Sequence, residues 1–499
     1  METTHPSGIA LSWWLRDRPV RQRFDRLTDR HTTEILVIGA GITGLSTAIE
    51  LAERGHQVTV CESNAIGAGT TANSTGHLDA HPEMGPYQLL KQLGRDAAAD
   101  YVALRLAAIQ EIESRCAGNC EFERISGYHY SESLEDREEL EQNFKAAEEI
   151  GLNVKWTEQI PIPHAGCGYE VEGMARIHCS KYLDRLVEIA SRKGVTIFEE
   201  TMVEGPTESE VHQLKAGDGT VEFQHVISAV HCNYTGSMRL YAATPPYQSY
   251  AIVAEVNNPP ADALFWDNSE PYYYVRRAQS DHPSLIIAGG CDHRTGTEDT
   301  LAAFGQLEQW LRERFEVTAV VHRWSAELFE PTDGLPMIGQ VASSRNVWIA
   351  TGLSGVGLTL GTAAARMLAD QIEGKPCPLE DELSPSRLAI SSPVKYGSEQ
   401  AATTANFAER VLPAGNVNAD ELHPGEGRVG NVDGAHTAIC RTHDGCLHRS
   451  SPICTHMGGV LHWNEAEQTW DCPVHGGRFT PDGTRLYGPP ESDLKSPGE

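Results

Sequence analysis

A glycine-rich turn at residues 39–44, with the pattern Gly-x-Gly-x-x-Gly, separates a strand-like run from a helical one. The apolar, β-branched run before it (34–38) is typical of a buried parallel strand, and residues 42–54 repeat apolar side chains at helical spacing. A second strand-like run (57–61) ends at Glu62, 23 residues after the first glycine. Strand, glycine turn, helix, strand and acid in this order form the dinucleotide-binding fingerprint, which predicts an α/β domain built on a parallel sheet.

Each residue of this fingerprint has a physical task at a bound dinucleotide. Gly39 permits the tight turn, Gly41 lets the backbone approach the pyrophosphate, and Gly44 lets helix and strand pack closely. The helix N-terminus offers free N–H groups and the positive end of its dipole to the phosphates. Glu62 can accept hydrogen bonds from the adenosine ribose hydroxyls. The alternative is a glycine turn without a ligand, and the complete context argues against it.

The dinucleotide is interpreted as FAD rather than NAD. The sequence has one such fingerprint, whereas a flavoprotein reductase that uses a pyridine nucleotide usually needs two. A small, polar loop at residues 67–77 is suited to wrapping a flavin, and residues 351–359 form a second glycine-rich turn into a helix.

With these motifs, residues 34–375 resemble the D-amino-acid oxidase-like (glycine and sarcosine oxidase) superfamily of FAD-dependent oxidoreductases. The resemblance implies an α/β FAD-binding domain of Rossmann-like, glutathione-reductase type with an inserted α+β substrate domain. It also implies that the second glycine-rich turn places a helix N-terminus at the flavin edge, where it stabilises negative charge. Beyond the fingerprint, the FAD contacts implied are Thr70, Thr71, Val203 on the adenine side, Gly352, Ser354, Gly355, Val356, Gly357, Leu358 and Thr359.

Two short loops near the C-terminus carry the most specific pattern in the chain. One contains Cys454 and His456 and the other Cys472 and His475. A structural zinc finger groups its cysteines together, whereas here each loop carries one cysteine and one histidine. That arrangement suits a [2Fe-2S] cluster with two thiolates on one iron and two imidazoles on the other. The alternatives are a zinc site and a degenerate site. Residues 424–493 resemble a Rieske domain, which implies a small all-β fold.

Composition limits the partners. The 499 residues include 40 Lys and Arg against 69 Asp and Glu, a net charge of −29. Such an acidic surface disfavours nucleic acid and anionic membranes. It suits a basic redox partner or cationic amines, and the alternative is an acidic surface without a specific partner. Neither a membrane-length apolar run nor a signal peptide is apparent, so a cytoplasmic location is expected.

The sequence predicts four segments and a substrate domain inserted in the second. Residues 1–33 contain Trp13 and Trp14 as a docking site, and residues 86–150 have helical spacing. The predicted segments are an N-terminal extension (1–33), an FAD-dependent oxidoreductase domain (34–384, with the insertion at about 80–200 and 235–325), a linker (385–423) and a Rieske domain (424–499).

The order of the two domains resembles bacterial fusions of an amine-oxidase-like flavoprotein with a C-terminal Rieske domain. The resemblance implies hydride transfer from an amine or amino acid to FAD, with electrons leaving through the cluster to an external acceptor. In two alternatives, electrons enter through the cluster to drive flavin- or oxygen-dependent chemistry, or the protein is a non-catalytic redox carrier.

Candidate substrate contacts lie on one predicted strand. Tyr272, Tyr274 and Arg276 alternate and so share a face, and an arginine near the flavin can clamp a carboxylate. Tyr274 and Arg276 are therefore the catalytic candidates, and the alternative is an aromatic ladder with a surface arginine. Some relatives attach FAD to a histidine in the loop that contains His77. The pattern His77-x-Asp79-x-His81 also loosely matches the two-histidine, one-carboxylate iron site of an oxygenase, but it lies in the flavin loop region and is interpreted as structural.

The Rieske-like loops predict a low reduction potential. High-potential Rieske proteins add a disulfide cysteine to each loop and a serine and a tyrosine that donate to sulfur. The corresponding positions here are Gly459, Val474, Gly477 and Phe479. With fewer hydrogen bonds to sulfur, the reduced cluster is stabilised less, and a potential on the order of −150 mV is expected. A redox titration followed by electron paramagnetic resonance (EPR) measures it, and a value above zero contradicts the prediction.

Overall fold

Residues 35–61 form the strand, helix and strand that the fingerprint predicts. Strands Ile35–Ile38 and Val58–Cys61 are parallel neighbours, and helix Ile42–Glu53 connects them. A Cβ atom added to Gly44 would lie 1.9 Å from the carbonyl oxygen of Gly39, so this packing requires glycine. This computed structural model describes residues 11–498 except 20, 207–208, 280–281, 343, 388–392 and 411–414.

These two strands belong to a six-stranded sheet that is parallel except for one edge strand. Helix Gly357–Ile372 packs on helix Ile42–Glu53, where a Cβ atom on Gly361 would lie 2.5 Å from Thr43 Oγ1. This arrangement confirms the predicted Rossmann-like α/β fold. In spatial order the strands are Met337–Gln340, Val347–Thr351, His225–Ser228, Ile35–Ile38, Val58–Cys61 and Thr196–Phe198.

A second, nine-stranded sheet lies in the same N-terminal module as the six-stranded sheet and provides the α+β part of that module. It draws on both segments predicted as the insertion, and it faces the six-stranded sheet across a cavity. Its strands are Val317–Phe329, Pro246–Val256, Leu285–Arg294, Tyr273–Arg277, Leu264–Asp267, Glu123–Ser131, Cys167–Arg176, His77–Leu78 and Val154–Thr157. The remaining helices of this module are Pro86–Leu93, Arg95–Cys116, Arg137–Glu149, Cys179–Arg192, Met238–Ala243 and Thr300–Arg314.

The helical prediction for residues 86–150 is wrong at one strand. Glu123–Ser131 pairs with Cys167–Arg176 on one side and with Leu264–Asp267 on the other. Both partners are distant in the sequence, so their backbone hydrogen bonds, rather than local spacing, stabilise the strand.

The predicted docking of the N-terminal segment is confirmed for Trp13 and Trp14, which are both buried. The Trp14 indole N–H donates to the carbonyl of Ser74 at 2.6 Å, within the loop predicted to wrap the flavin. A three-stranded sheet completes this module with Arg30–Thr32, Gly219–Glu222 and Gln213–Ala216.

The C-terminal module (416–498) is all-β, as predicted. It contains a three-stranded and a four-stranded antiparallel sheet. No helix in the described part of the chain has both the length and the apolar content needed to span a membrane. The strands are Gly427–Val432, Ala435–Arg441, Leu447–Ser450, His462–Asn464, Thr469–Asp471, Arg478–Phe479 and Arg485–Tyr487.

The segment predicted as a linker contains the helix Pro393–Glu409. The Asn406 side chain donates to the carbonyl of Val460 at 3.0 Å and accepts from its N–H at 2.9 Å. Arg294 donates to the backbone carbonyl of Glu399 at 3.2 Å. The helix thus lies between the two modules and contacts both, which its weak apolar periodicity did not indicate.

A buried ion network in the C-terminal module should contribute strongly to its free energy of unfolding. Arg478 donates to Asp471 at 2.8 Å and to Glu467 at 2.5 Å, and all three side chains are at most 2% exposed. Arg478→Ala leaves two buried carboxylates without their cation, so we expect a loss of about 3–5 kcal/mol in the free energy of unfolding. Arg449→Ala removes an exposed pair with Asp433 and should cost less than about 1 kcal/mol. Urea unfolding measures both, and equal losses would contradict this account.

Candidate functional site

One cavity of about 790 Å³ runs between the two large sheets, a size suited to a cofactor and a small substrate. The described residues lining it include most of the predicted FAD contacts. These are Gly39, Gly41, Glu62, Thr70, Thr71, Val203, Ser354, Gly355, Val356, Gly357 and Leu358.

Three predicted contacts lie outside the cavity lining, and two of them, Gly44 and Gly352, shape the backbone. Gly44 packs against Gly39, as described above. Gly352 has φ +68° and lies against Pro331, so its role is to permit the tight turn of the backbone. Thr359 is the third residue of the helix Gly357–Ile372, and its hydroxyl is buried without a hydrogen-bond partner.

The nucleotide end of the cavity is shaped by backbone groups. The Glu62 carboxylate accepts from the N–H groups of Ala40 at 2.9 Å and Asn64 at 3.0 Å, which orients it beside the glycine turn. The helices that begin at Ile42 and Gly357 start at the cavity wall without a cap from the side chain of the preceding residue, and the Ile42 N–H donates to Thr71 Oγ1 at 3.1 Å. The positive ends of their dipoles can stabilise an anion there. A dinucleotide with its pyrophosphate at one helix and its flavin at the other fits this donor set.

The four predicted cluster ligands come together at the tips of two equivalent loops. In the first loop the N–H of Gly458 donates to the carbonyl of Cys454 at 3.1 Å. In the second the N–H of Gly476 donates to the carbonyl of Cys472 at 3.0 Å. The ligand imidazoles of His456 and His475 have ring centroids 5.0 Å apart.

The chemistry of these donors fits a [2Fe-2S] cluster. Burial lowers the pKa of His456 to about 4 and that of His475 to about 3, so both imidazoles are neutral at pH 7, the form that binds a metal. His456 Nδ1 is buried without a hydrogen-bond partner. A Cβ atom on Gly459 would lie 2.7 Å from Val474 Cγ2. The two positions that hold disulfide cysteines in high-potential Rieske proteins are therefore in contact here, but neither is a cysteine.

A tyrosine of the N-terminal module covers both ligand histidines. The Tyr241 hydroxyl and His456 Nε2 are hydrogen-bonded at 2.9 Å, and the Tyr241 ring centroid lies 4.4 Å from that of His475. Sequence analysis missed Tyr241, because no spacing relates its short helix to the loops 215 residues later.

The C-terminal module also forms part of the cavity wall. Arg485, Tyr487 and Gly488 line it. The Tyr487 ring lies 5.5 Å from that of His231, and Asn64 donates to the carbonyl of Leu486 at 3.0 Å. The Rieske-like module therefore forms part of the wall of the cavity in which the dinucleotide would lie.

The two catalytic candidates have different surroundings. Tyr274 lines the cavity, where its ring packs edge-on against His77 with centroids 5.1 Å apart. Arg276 is 1% exposed and donates to the backbone carbonyls of Thr75 at 2.6 Å and Arg277 at 2.8 Å. The predicted carboxylate clamp is therefore wrong for Arg276. Its guanidinium supports the loop, and burial lowers its pKa to about 9.

The part of the cavity beside Tyr274, here called the substrate end, is acidic. Among the described residues that line the whole cavity, Arg485 is the only lysine or arginine, and it lies on the C-terminal module. Burial raises the pKa of Asp267 to about 6. The carboxylates around the substrate end are Asp79, Glu83, Asp267, Glu270 and Glu330.

Comparison with known proteins agrees with this architecture. A family model described as FAD dependent oxidoreductase (DAO) matches residues 34–371, and one described as Rieske [2Fe-2S] domain matches residues 416–497. A putative Rieske 2Fe-2S iron-sulfur protein of Bacillus subtilis, YhfW, is 27% identical over 481 residues, which cover 95% of this chain and 94% of that protein.

Two further proteins are similar over the N-terminal module. The gamma-glutamylputrescine oxidoreductase of Escherichia coli is 23% identical over 380 residues, covering 70% of this chain and 86% of that protein. The crystal structure of glycine oxidase from Geobacillus kaustophilus has a TM-score of 0.61 at 20% identity, covering 72% of this chain and 99% of that one. The structural likeness shows a shared fold.

The family match extends from the first strand of the parallel sheet to the helix at the flavin end of the cavity. This chain therefore belongs to the FAD-dependent oxidoreductase (DAO) family, as a member that also carries a C-terminal Rieske domain binding a [2Fe-2S] cluster.

Proposed function

We propose that this protein is an FAD-dependent amine dehydrogenase whose Rieske domain carries the electrons onward to an external acceptor protein. The observation that carries the proposal is the shared cavity, which residues of both modules line. Bound FAD supplies a hydride acceptor and the [2Fe-2S] cluster supplies one-electron transfer. A one-electron centre next to a two-electron cofactor serves to separate the electron pair. An oxidase that passes both electrons to oxygen does not need such a centre.

The substrate end supports a cationic amine rather than an amino acid. An amino acid needs a cation for its carboxylate, and Arg276 is committed to backbone carbonyls. An ammonium group is instead stabilised by carboxylates such as Asp267 and by the faces of Tyr274 and Trp266. The similarity to a gamma-glutamylputrescine oxidoreductase, named for an amine, agrees with this substrate class.

The contacts between the modules support transfer within one chain. Tyr241 touches both ligand histidines from the N-terminal module, and Tyr487 reaches the cavity from the Rieske domain. His231 packs against Tyr487, and its Nε2 atom lies 3.4 Å from the Glu327 carboxylate. The Glu327 carboxylate lies beside Gly476, the residue after the ligand His475, where a Cβ atom would be 2.5 Å from it.

Anaerobic reduction with a panel of amines tests the proposal. In the wild type we expect one amine to bleach the flavin absorbance and to produce the EPR signal of the reduced cluster. Cys472→Ser removes a cluster ligand, so flavin bleaching should remain, while electron delivery to a one-electron acceptor falls by at least about tenfold. Cys446→Ser, at an exposed cysteine of the same domain, should behave as the wild type. If dithionite reduces both centres and no amine reduces either, the proposal fails.

Ionisation of Asp267 should shape the pH profile. Its pKa is raised to about 6 by burial, so the carboxylate is neutral below that pH and charged above it. We expect kcat/KM for a cationic amine to rise as pH increases through about 6, because the charged form binds the ammonium group. Asp267→Asn should flatten this limb and raise KM about tenfold. The control Glu255→Gln changes an exposed carboxylate of the same sheet and should leave the profile unchanged. An unaltered profile in Asp267→Asn would contradict the assignment.

A further inference from the structure

The helix Met238–Ala243 of the FAD-binding module brings one tyrosine against the cluster loops. The Tyr241 ring contacts both predicted ligand imidazoles, with its centroid 4.9 Å from that of His456 and 4.4 Å from that of His475. Tyr241 is only 8% exposed, so the contact is buried. One side of the predicted cluster site is therefore formed by a residue of the other module.

The two ring nitrogens of His456 have different surroundings. Nε2 is hydrogen-bonded to the Tyr241 hydroxyl at 2.9 Å, whereas Nδ1 is buried without a hydrogen-bond partner. Nδ1 is therefore the nitrogen left to bind iron. A neutral imidazole that binds a metal through one nitrogen carries its hydrogen on the other. With the cluster bound, Nε2–H thus donates to the Tyr241 oxygen.

Hydrogen bonds on both sides of Tyr241 fix the backbone from which its side chain extends. The N–H of Tyr241 donates to the carbonyl of Ser237 at 3.1 Å, and that carbonyl also accepts from the side chain of Asn233 at 3.0 Å. On the other side, the Gln400 side chain donates to the carbonyl of Ala242 at 3.2 Å. The tyrosine hydroxyl therefore approaches the cluster loops from an ordered helix that is anchored at both ends.

A hydrogen bond of this kind changes the ligand that the iron meets. When Nε2–H donates to an oxygen, the imidazole becomes a more basic ligand at Nδ1. A more basic ligand stabilises the oxidised cluster, which carries one more positive charge than the reduced cluster. The buried setting strengthens the bond, because the local dielectric is lower than that of water. The result is a lower reduction potential, in the same direction as the missing sulfur donors at Gly477 and Phe479.

We infer that Tyr241 is a positioning residue of the Rieske cluster, whose hydroxyl accepts a hydrogen bond from His456 Nε2 and lowers the reduction potential of the cluster. The FAD-binding module thereby sets a property of the cofactor that the Rieske domain binds. The inference depends on the [2Fe-2S] cluster and not on the proposed amine substrate, so reduction with dithionite is sufficient to test it.

A redox titration of the holoprotein at one pH, followed by EPR, tests the inference. Tyr241→Phe removes the hydroxyl and keeps the ring against His475, so we expect the midpoint potential to rise. A threefold to tenfold change in the ratio of oxidised to reduced cluster corresponds to about 28–59 mV for a one-electron centre. The matched control Tyr250→Phe removes another buried tyrosine–histidine hydrogen bond, the 2.8 Å contact with His293, and should keep the wild-type potential.

A second measurement follows the hydrogen bond itself. Pulsed EPR of the reduced cluster reports the quadrupole coupling of the remote nitrogen of each ligand imidazole, which depends on the hydrogen bond at that nitrogen. In Tyr241→Phe we expect one coupling to change and the other to stay as in the wild type. FAD absorbance and the EPR intensity of the reduced cluster confirm that each variant keeps both cofactors.

Two results would overturn the inference. One is a Tyr241→Phe variant with the wild-type potential and couplings, as expected if the tyrosine only packs against the histidines. The other is an equal rise in potential in Tyr250→Phe, as expected from a general loosening of the module. If Tyr241→Phe loses the cluster, a crystal structure of the wild-type holoprotein decides instead. A Tyr241 oxygen within hydrogen-bond distance of His456 Nε2 supports the inference, and a larger separation rejects it.

Discussion

A buried carboxylate shared by the two modules determines how the Rieske domain sits on the FAD-binding module. Glu467 accepts from the backbone N–H of Ser325 at 3.1 Å and from Arg478 at 2.5 Å. A buried charge is stable only when its partners are all in place, so this network favours one orientation of the two modules. The contacts of Tyr487 with the cavity and of Tyr241 with the cluster loops both follow from that orientation.

This orientation turns the cluster toward the interior of the molecule. The imidazoles of His456 and His475, the predicted cluster ligands, contact Tyr241, and His475 is only 7% exposed. The Rieske domain also contributes Arg485, Tyr487 and Gly488 to the cavity wall of its own chain. An amine bound beside Tyr274 would lie in a space that both cofactor-binding modules help to exclude from water.

The distribution of charge in the cavity is as informative as its shape. Carboxylates line the substrate end, and the guanidinium of Arg276 is buried behind the wall. A low-dielectric cavity with this sign attracts cations and disfavours carboxylates. The same property underlies the proposed amine substrate, which the pH profile tests.

Local patterns were sufficient for the two cofactor motifs. The glycines of residues 39–44 and the paired Cys454–His456 and Cys472–His475 loops carry their chemistry within a few residues, because backbone conformation and ligand spacing are local properties. Sheet pairing at Glu123–Ser131 and the helix Pro393–Glu409 could not be predicted in this way, since partners far along the chain stabilise them. The order of the two domains was also evident from the motifs alone.

The side-chain directions at the substrate end depended on tertiary packing. Strand alternation correctly placed Tyr274 and Arg276 on one face, but packing buried the guanidinium of Arg276 against the carbonyl of Thr75. His129 lies 4.0 Å from Asp79 because the strand Glu123–Ser131 and the strand His77–Leu78, which ends just before Asp79, both pair with Cys167–Arg176. Sequence therefore determined which cofactors this protein holds, while the tertiary fold decided which side chains surround the substrate, because such contacts join residues that no local spacing relates.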